Sequence, residues 1–241
     1  MITLTRKISL MLLAATMGLG LVSCMKNNDD QPEIPSAGLM AFNLAPDQDG
    51  IFIRLSGNTL NNQAFAYSNF TGGYLPVFTG NRDVKGINAL TGTEISTTAG
   101  FNFEPNKYYS LFVTGANSVY SNLIVNDHLD TLLPATGEAL VRFIQAIPDS
   151  AAYAVNLSSG SKVVPATAPF NTVSEFSSMP VGDLKISASN GTGSTLERTI
   201  QIEASKAYTI LIMGNPAATD DTRKPQIKFI VNGTVKPDDT E

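Results

Sequence analysis

The only histidine of the 241-residue chain, His128, lies between two acidic residues in the segment NDHLD. An imidazole with two carboxylates could begin a divalent-metal site, but such a site needs three or four ligands that converge in space. A matching later segment, NGTVK, has Gly233 and Thr234 at the first acidic position and at the imidazole position. We therefore expect a turn at this place and no metal site.

Other patterns that could carry catalysis are also missing. A serine or cysteine nucleophile usually needs a base that a third group orients, and this chain has one histidine and one cysteine. It contains no G-x-S-x-G elbow and no phosphate-binding loop with its lysine. The segment 46–50 (PDQDG) hints at a calcium loop but lacks the regular series of oxygen ligands. We therefore expect no catalytic residue, no cofactor and no enzymatic activity.

The single cysteine, Cys24, follows two basic residues and the apolar run 8–22. This run is too short for a membrane span, which needs about 20 residues, but it suits a signal peptide. The segment 21–24 (LVSC) resembles the lipobox of bacterial lipoproteins, in which signal peptidase II cleaves before the cysteine and the cysteine carries lipid. The resemblance implies a signal peptide over residues 1–23 and lipidation of Cys24. The alternative is an ordinary secretory signal with an incidental cysteine.

Residues 24–37 are polar and contain two prolines, a composition typical of a flexible tether. Met25 stands where many lipoproteins retained at the inner membrane have aspartate, so we expect an outer-membrane location. Lys26 with Asp29 and Asp30 resembles the short charged signal that sends some lipoproteins to the cell surface. We therefore expect a lipid-anchored, surface-exposed protein, and the alternative is that this segment is only a soluble linker.

The charge balance limits the possible partners. Residues 1–23 contain two of the 16 basic residues and no acidic ones, so the remaining chain has 14 Lys and Arg against 21 Asp and Glu. This acidic balance would repel phosphates, and we expect no nucleic-acid partner. The expected partners are the membrane, through the N-terminal lipid, and an envelope protein or a glycan.

The rest of the chain repeats itself at an offset near 100 residues. Segment 43–55 (NLAPDQDGIFIRL) matches 145–157 (QAIPDSAAYAVNL), and 106–115 (NKYYSLFVTG) matches 205–214 (SKAYTILIMG). The order is kept while the offset drifts, which indicates a duplicated domain with changes of loop length. We expect each copy to bury its own core and to fold separately. The predicted parts are a tether (24–37), a first β-sandwich domain (38–130), a linker (131–137), a second β-sandwich domain (138–236) and a C-terminal tail (237–241).

Both copies have the pattern of β-strands. Apolar and polar residues alternate in 51–56, whereas 208–213 (YTILIM) is almost continuously apolar, as in a buried central strand. Several short strands in about 100 residues predict an all-β fold, with two tandem immunoglobulin-like sandwiches after the signal peptide. Tyr109 and Tyr208 each follow a polar corner, and this resembles a tyrosine corner, in which the hydroxyl bonds upstream backbone.

Three segments of the second copy, 139–157 (ALVRFIQAIPDSAAYAVNL), 179–188 (MPVGDLKISA) and 205–214 (SKAYTILIMG), carry a family resemblance. They resemble the bacterial extracytoplasmic family known as domain of unknown function 4397. The first copy diverges, since Met40 stands at the position of Arg142. The resemblance covers most of the mature chain and implies a β-sandwich in the cell envelope. It implies no catalytic residues, because the family has no settled activity.

Two surface regions are candidates for binding. Exposed aromatic rings can stack on sugars or anchor a protein partner, and the sequence clusters such residues in the first copy. The candidate binding residues are Phe65, Tyr67, Phe70 and Tyr74. The alternative is that these rings belong to the scaffold, because Tyr74 aligns with Phe176. The second candidate is the long loop 214–225 (GNPAATDDTRKP).

Two positions fit an O-glycosylation pattern that some Gram-negative anaerobes use, which is Asp-Ser/Thr followed by an apolar residue. Thr131 lies in D-T-L and Ser150 in D-S-A. We expect both to lie at the surface, as a bulky modification requires.

The function expected from the sequence is that of a non-catalytic cell-surface lipoprotein, acting as a binding or structural module of the envelope. One alternative is a glycan-binding lipoprotein, which would need an exposed aromatic pair. Another is a fimbrial or adhesin-type subunit, which would need cleavage after an arginine before the first domain. The first arginine after Cys24 is Arg54, inside a predicted strand, which disfavours the fimbrial alternative.

Overall fold

A computed structural model describes residues 34–191 and 195–235. The predicted signal peptide, Cys24, most of the predicted tether and the predicted tail 237–241 lie outside the described residues. The regular secondary structure of the described part consists of strands alone. No helix in this part is long and apolar enough to cross a membrane. The first sandwich consists of β1 (Ser36–Asn43), β2 (Ile51–Leu55), β3 (Asn58–Thr59), β4 (Leu75–Phe78), β5 (Gly80–Asn88), β6 (Glu94–Phe103), β7 (Tyr108–Ala116) and β8 (Val119–Asn126). The second sandwich consists of β9 (Glu138–Ala146), β10 (Tyr153–Ser159), β11 (Lys162–Ala168), β12 (Ser177–Pro180), β13 (Gly182–Ser189), β14 (Thr195–Ile202), β15 (Lys206–Met213) and β16 (Gln226–Thr234).

Each sandwich has two four-stranded sheets with the same strand order. The sheets are β4-β1-β7-β8 and β3-β2-β5-β6 in the first sandwich, and β12-β9-β15-β16 and β11-β10-β13-β14 in the second. The expected all-β architecture of two tandem sandwiches is confirmed. The first strand of each sandwich lies parallel to the seventh, and the eight strands divide four and four. A constant-type immunoglobulin domain instead divides seven strands four and three.

Alternation along the strands gives each sandwich its own inner core. In β1, Leu39 and Ala41 point into the first inner core, and in β9, Val141 and Phe143 point into the second. All four side chains are fully buried or nearly so. Burial of such side chains is the main favourable term in folding, and it explains why the period-two pattern is repeated in both halves of the sequence.

The two tyrosine corners are confirmed. The Tyr109 hydroxyl accepts a hydrogen bond from the backbone N–H of Glu104 at 3.2 Å, and the Tyr208 hydroxyl accepts one from Glu203 at 3.0 Å. Both rings are buried in the inner cores. Each tyrosine therefore fixes the turn before its strand to the interior of its sandwich.

The opposite faces of the same central strands are also buried, in a layer between the two sandwiches that we call the middle layer. In β15, Leu211 and Met213 alternate with residues that point into the second inner core. This explains the almost continuous apolar run 208–213, since both faces of the strand are covered. The buried apolar members of the middle layer are Met40, Phe42, Leu44, Phe112, Ile144, Ala146, Leu211 and Met213.

The middle layer argues against the expectation that the two copies fold separately. Each sandwich contributes four of its eight buried apolar residues, and residues 35–241 form one compact unit. Separation of the halves would expose these side chains to water, which is unfavourable in proportion to the apolar area. The structure therefore favours one unit in which the two sandwiches share the middle layer, although each copy does bury a core of its own.

Candidate functional site

A buried polar network crosses the middle layer and is centred on Arg142 of β9, which is 2% exposed. Its guanidinium donates hydrogen bonds to Asp127 Oδ1 at 2.6 Å, to Ser110 Oγ at 2.7 Å and to Thr209 Oγ1 at 3.0 Å. It also lies over the Phe176 ring, 4.4 Å from the ring centroid. The buried charge is thus paired and hydrogen-bonded on several sides, as burial of a charge requires.

The first sandwich supplies the counter-charge of this network. Asp127 Oδ2 accepts hydrogen bonds from Ser110 Oγ at 2.7 Å and from the Tyr74 hydroxyl, which itself accepts one from Asn232 Nδ2 at 3.2 Å. Burial, and then the nearby Asp127 carboxylate, raises the pKa of Tyr74. Because these groups satisfy one another within the two sandwiches, we interpret the network as structural.

The four candidate aromatic residues do not form one exposed cluster. Tyr67, Phe70 and Tyr74 pack against the middle layer, and Phe65 packs against the first inner core. Phe70 stacks on the buried Phe42, with ring centroids 5.2 Å apart. All four rings are half-buried. These contacts favour the scaffold alternative, and a role of the four rings in binding stays a prediction.

The segment around His128 forms a turn, as expected. His128 is exposed and has a φ of 51°, while the neighbouring acids are engaged elsewhere. Asp127 pairs with Arg142, and Asp130 pairs with Lys107 at 2.5 Å. Within the described residues, no three His, Cys, Asp or Glu side chains lie close enough to hold a metal ion.

The long loop 214–225 contacts the first sandwich. Arg223 donates a hydrogen bond to the carbonyl of Pro46 at 2.6 Å and forms an ion pair with Asp49. The loop 214–225 therefore adds to the contact between the two sandwiches. Only the rest of the loop is accessible to a binding partner.

The two glycosylation candidates differ in accessibility. Thr131 is exposed. Ser150 is half-buried, and its hydroxyl donates to the carbonyl of Ile147 at 3.0 Å and accepts from Gln145 Nε2 at 3.3 Å. Only Thr131 therefore has the surface position that we expected of both, and modification of either residue stays a prediction.

The first sandwich has a depression between its two short edge strands, β3 and β4, which we call the edge groove. Its volume is about 380 Å³. The Phe78 side chain is 57% exposed at the rim, and Leu55 and Val77 belong to the first inner core. The groove therefore opens onto the end of that core. It is lined by β3 and by Leu55, Leu60, Pro76, Val77, Phe78 and Arg82.

The strand beside the groove, β3, has only two residues. Leu60 N–H still donates to the carbonyl of Ile53 at 2.8 Å, and after it the Asn61 side chain takes the place of the next backbone partner of β2. Asn61 Oδ1 accepts from the N–H of Ile53 at 2.8 Å, and Nδ2 donates to the carbonyl of Ile51 at 3.1 Å. The chain returns to the sheet at Phe65, which bridges to Ile51. The counterpart strand β11, in contrast, pairs with β10 along all seven of its residues.

The corresponding end of the second sandwich is bridged. Ser159 Oγ donates a hydrogen bond to the carbonyl of Pro180 in β12 at 2.7 Å. The repeat that matches Leu55 with Leu157 places Gly57 at the position of Ser159. Glycine has no hydroxyl, so the same bridge cannot form across the edge groove.

Arg82 reaches the edge groove from a β-bulge. The register between β5 and β6 shifts between Arg82 and Val84, whereas β13 and β14 stay in register from Gly182 to Ser189. Bulges often redirect a side chain next to a functional site. Arg82 Nη2 donates to the carbonyl of Thr79 at 2.9 Å, but its Nε is buried without a hydrogen-bond partner. Among the described residues, no carboxylate forms an ion pair with it.

A second depression, of about 360 Å³, lies beside the edge groove, and Leu60 lines both. Amide side chains dominate its polar lining, and the rings of Phe65 and Phe70 contribute to its wall. We call it the amide depression. Its amide side chains belong to Asn61, Asn62, Gln63 and Asn69.

Comparison with known proteins decides the family. The model of the family "Domain of unknown function (DUF4397)" matches residues 37–157 and again residues 139–241. The chain belongs to this family. The resemblance read from the sequence is thereby confirmed, and the DUF4397 match covers both sandwiches.

No curated protein matches this DUF4397 chain. One similar solved structure is the crystal structure of a "putative cell adhesion protein" from Bacteroides ovatus ATCC 8483. It is 8% identical, the alignment covers 86% of this chain and all of that chain, and the TM-score is 0.26. This similarity is too low to carry an argument about fold or function.

Proposed function

We propose that this DUF4397 protein is a non-catalytic binding module of the bacterial envelope, anchored at the cell surface by lipid on Cys24, and that it binds its ligand in the edge groove. One observation carries the proposal. The first sandwich leaves this end open, whereas the Ser159–Pro180 hydrogen bond bridges the corresponding end of the second sandwich.

The composition of the groove supports binding rather than catalysis. Ligand pockets typically enclose about 300–1,000 Å³ and combine apolar walls with a few polar groups, and the edge groove has this character. Its polar side chains are Asn58, Thr59 and Arg82. None of these is a usual general base at neutral pH, so the groove lacks the base that activates a nucleophile.

The test is retention of a ligand from native envelope extract on immobilised residues 25–241. The double variant Phe78→Ala/Arg82→Gln should lose the retained component. Arg54→Gln is the matched control, because Arg54 is exposed on β2 and does not line the groove. Equal retention by the double variant and the wild type would refute the groove as the binding site.

The anchor is tested separately by intact-mass analysis of the native protein. We expect the mass of a chain that begins at lipidated Cys24, and we expect Cys24→Ser to abolish lipidation. An acyl-free mature terminus at another residue would contradict the anchor while leaving the groove proposal standing.

Glycan binding is the second candidate function, and the amide depression supports it. Amide side chains donate and accept hydrogen bonds, and adjacent rings can pack against a sugar. Asn62→Ala/Asn69→Ala should weaken binding of a neutral oligosaccharide, since both residues are exposed. Binding that survives this double variant would exclude the amide depression as a glycan site.

The fimbrial alternative gains no comparable support from the described residues. Arg54 lies within β2 and pairs with Thr59 on one side and Lys85 on the other. Cleavage there would cut through the first sandwich, which disfavours this alternative.

A further inference from the structure

We infer that the edge groove takes a small amphipathic carboxylate, with its apolar body between the two edge strands and its carboxylate on Arg82. This inference rests on the proposed function, because it names the ligand class of the same groove. It is carried by three observations together, which are the apolar floor, the half-exposed aromatic rim and the incompletely bonded guanidinium.

The apolar floor is the open end of the first inner core. Leu55 and Val77 are members of that core, and Leu60 packs against it. The Phe78 ring adds an exposed apolar surface at the rim. A ligand chain that covers these groups removes apolar surface from water, and each buried methylene strengthens binding by about fourfold.

The anion-binding group is Arg82. Its Nε is buried without a partner, and Nη2 is held by the carbonyl of Thr79. An arginine binds a carboxylate with charge-assisted N–H···O hydrogen bonds, and Nη1 of Arg82, which has no hydrogen-bond partner among the described residues and is not one of their buried atoms, is the donor that a ligand carboxylate would meet. The adjacent Asp83 forms no ion pair with Arg82, and its Oδ1 accepts a hydrogen bond from the N–H of Gly100 at 2.9 Å.

A carboxylate fits this site better than a phosphate does. Arg82 is the only cationic side chain among the residues that line the groove, and the chain as a whole has a net charge of −5. One guanidinium balances a singly charged carboxylate, whereas a doubly charged phosphate would keep an unbalanced charge in acidic surroundings.

The second sandwich should not bind this ligand class. It lacks the bulge that places Arg82, and its long edge strand β11 and the Ser159–Pro180 bond occupy the corresponding end. We therefore expect one binding site per chain.

The experiment is calorimetric titration of residues 25–241 with decanoate, with decanol and acetate as separate probes. Decanoate should bind one molecule per chain, decanol more weakly, and acetate not measurably. Arg82→Gln should weaken decanoate binding by about tenfold to a hundredfold, since a hydrogen bond to a charged group is lost. Phe78→Ala should weaken decanoate and decanol alike, and Arg54→Gln should leave both unchanged.

The inference is overturned if decanoate does not bind, if decanol binds as tightly, or if Arg82→Gln binds decanoate as the wild type does. The thermal unfolding midpoint of each variant shows whether it is folded, and Phe78→Ala provides a second readout if Arg82→Gln is not. If decanoate fails but the envelope ligand is still lost from Phe78→Ala/Arg82→Gln, the ligand class is wrong and the proposed function stands. If retention is also unchanged, both fail.

Discussion

The two sandwiches share one strand order but differ where they meet. Met40 in the first sandwich stands at the sequence position of Arg142 in the second, and both side chains are buried in the middle layer. Arg142 pairs with Asp127, whereas the nearest polar contact of Met40 is a long one, from Asn232 Nδ2 to its sulfur at 3.9 Å. The duplicated position thus forms an ion pair between the sandwiches in the second copy, whereas in the first copy it holds an apolar side chain that packs in the middle layer.

The sandwiches differ again at their short edge strands. The second sandwich bridges this end through Ser159, while the first has Gly57, a two-residue β3 and a bulge that carries Arg82. An inner core and a tyrosine corner, in contrast, are present in both. The comparison teaches that the repeated features maintain the fold, and that the features unique to one copy join the sandwiches or open the groove.

The largest expected effect comes from making the second copy resemble the first. Arg142→Met would leave the Asp127 carboxylate buried without its cation, and we expect a loss of about 3–5 kcal/mol in the free energy of unfolding. Urea denaturation measures this loss. Met40→Leu is the matched control in the other copy and should cost less than about 1.5 kcal/mol.

The double variant Arg142→Met/Asp127→Asn separates the charge from the packing. Removal of both charges should recover part of the stability that Arg142→Met loses, because no buried carboxylate then lacks its partner. If the double variant is as unstable as the sum of the two single variants, the ion pair is not what stabilises the middle layer.

The next effect depends on pH. Because the folded state raises the pKa of Tyr74 above the value of about 10 in an unfolded chain, its contribution to stability is complete below pH 10 and is lost as the pH rises further. The wild type should therefore lose about 1.4 kcal/mol more per pH unit above pH 10 than Tyr74→Phe does. Urea denaturation between pH 9 and 11 gives both slopes, and parallel slopes would contradict the buried position of the hydroxyl.

The smallest effect should be equal in the two sandwiches. Tyr109→Phe and Tyr208→Phe each remove one hydroxyl that accepts a backbone hydrogen bond, and each should cost about 1 kcal/mol. The measurement is again the free energy of unfolding. A clearly unequal pair of values would show that the two corners are not equivalent.

The inner parts of the fold could be predicted from the sequence because their signals are local. Alternation in 51–56 and the offset between Tyr109 and Tyr208 indicated strands, the duplication and the tyrosine corners. The middle layer was not predicted, since a strand pattern does not say what covers its second face. The available signal was Arg142 inside the apolar run ALVRFIQA, where a buried charge requires a partner from elsewhere.

The edge groove was missed for a different reason. It arises from what the first sandwich lacks, which is a longer β3 and a hydroxyl at Gly57, together with a register shift near Arg82. A comparison of the two copies could have shown the glycine at the position of Ser159, but not that this serine bridges two sheets. The sequence instead indicated the aromatic cluster as a binding site. The half-burial of these rings could not be predicted, because it depends on distant contacts such as that of Phe70 with Phe42.

The central claim is that the middle layer joins the two sandwiches into one unit. The edge groove belongs to the first sandwich of this unit. Differential scanning calorimetry of residues 25–241 tests this claim most directly. We expect a single transition in which the calorimetric and van't Hoff enthalpies agree, as they do for one cooperative unit. Two resolved transitions, each with the enthalpy of about half the chain, would contradict it.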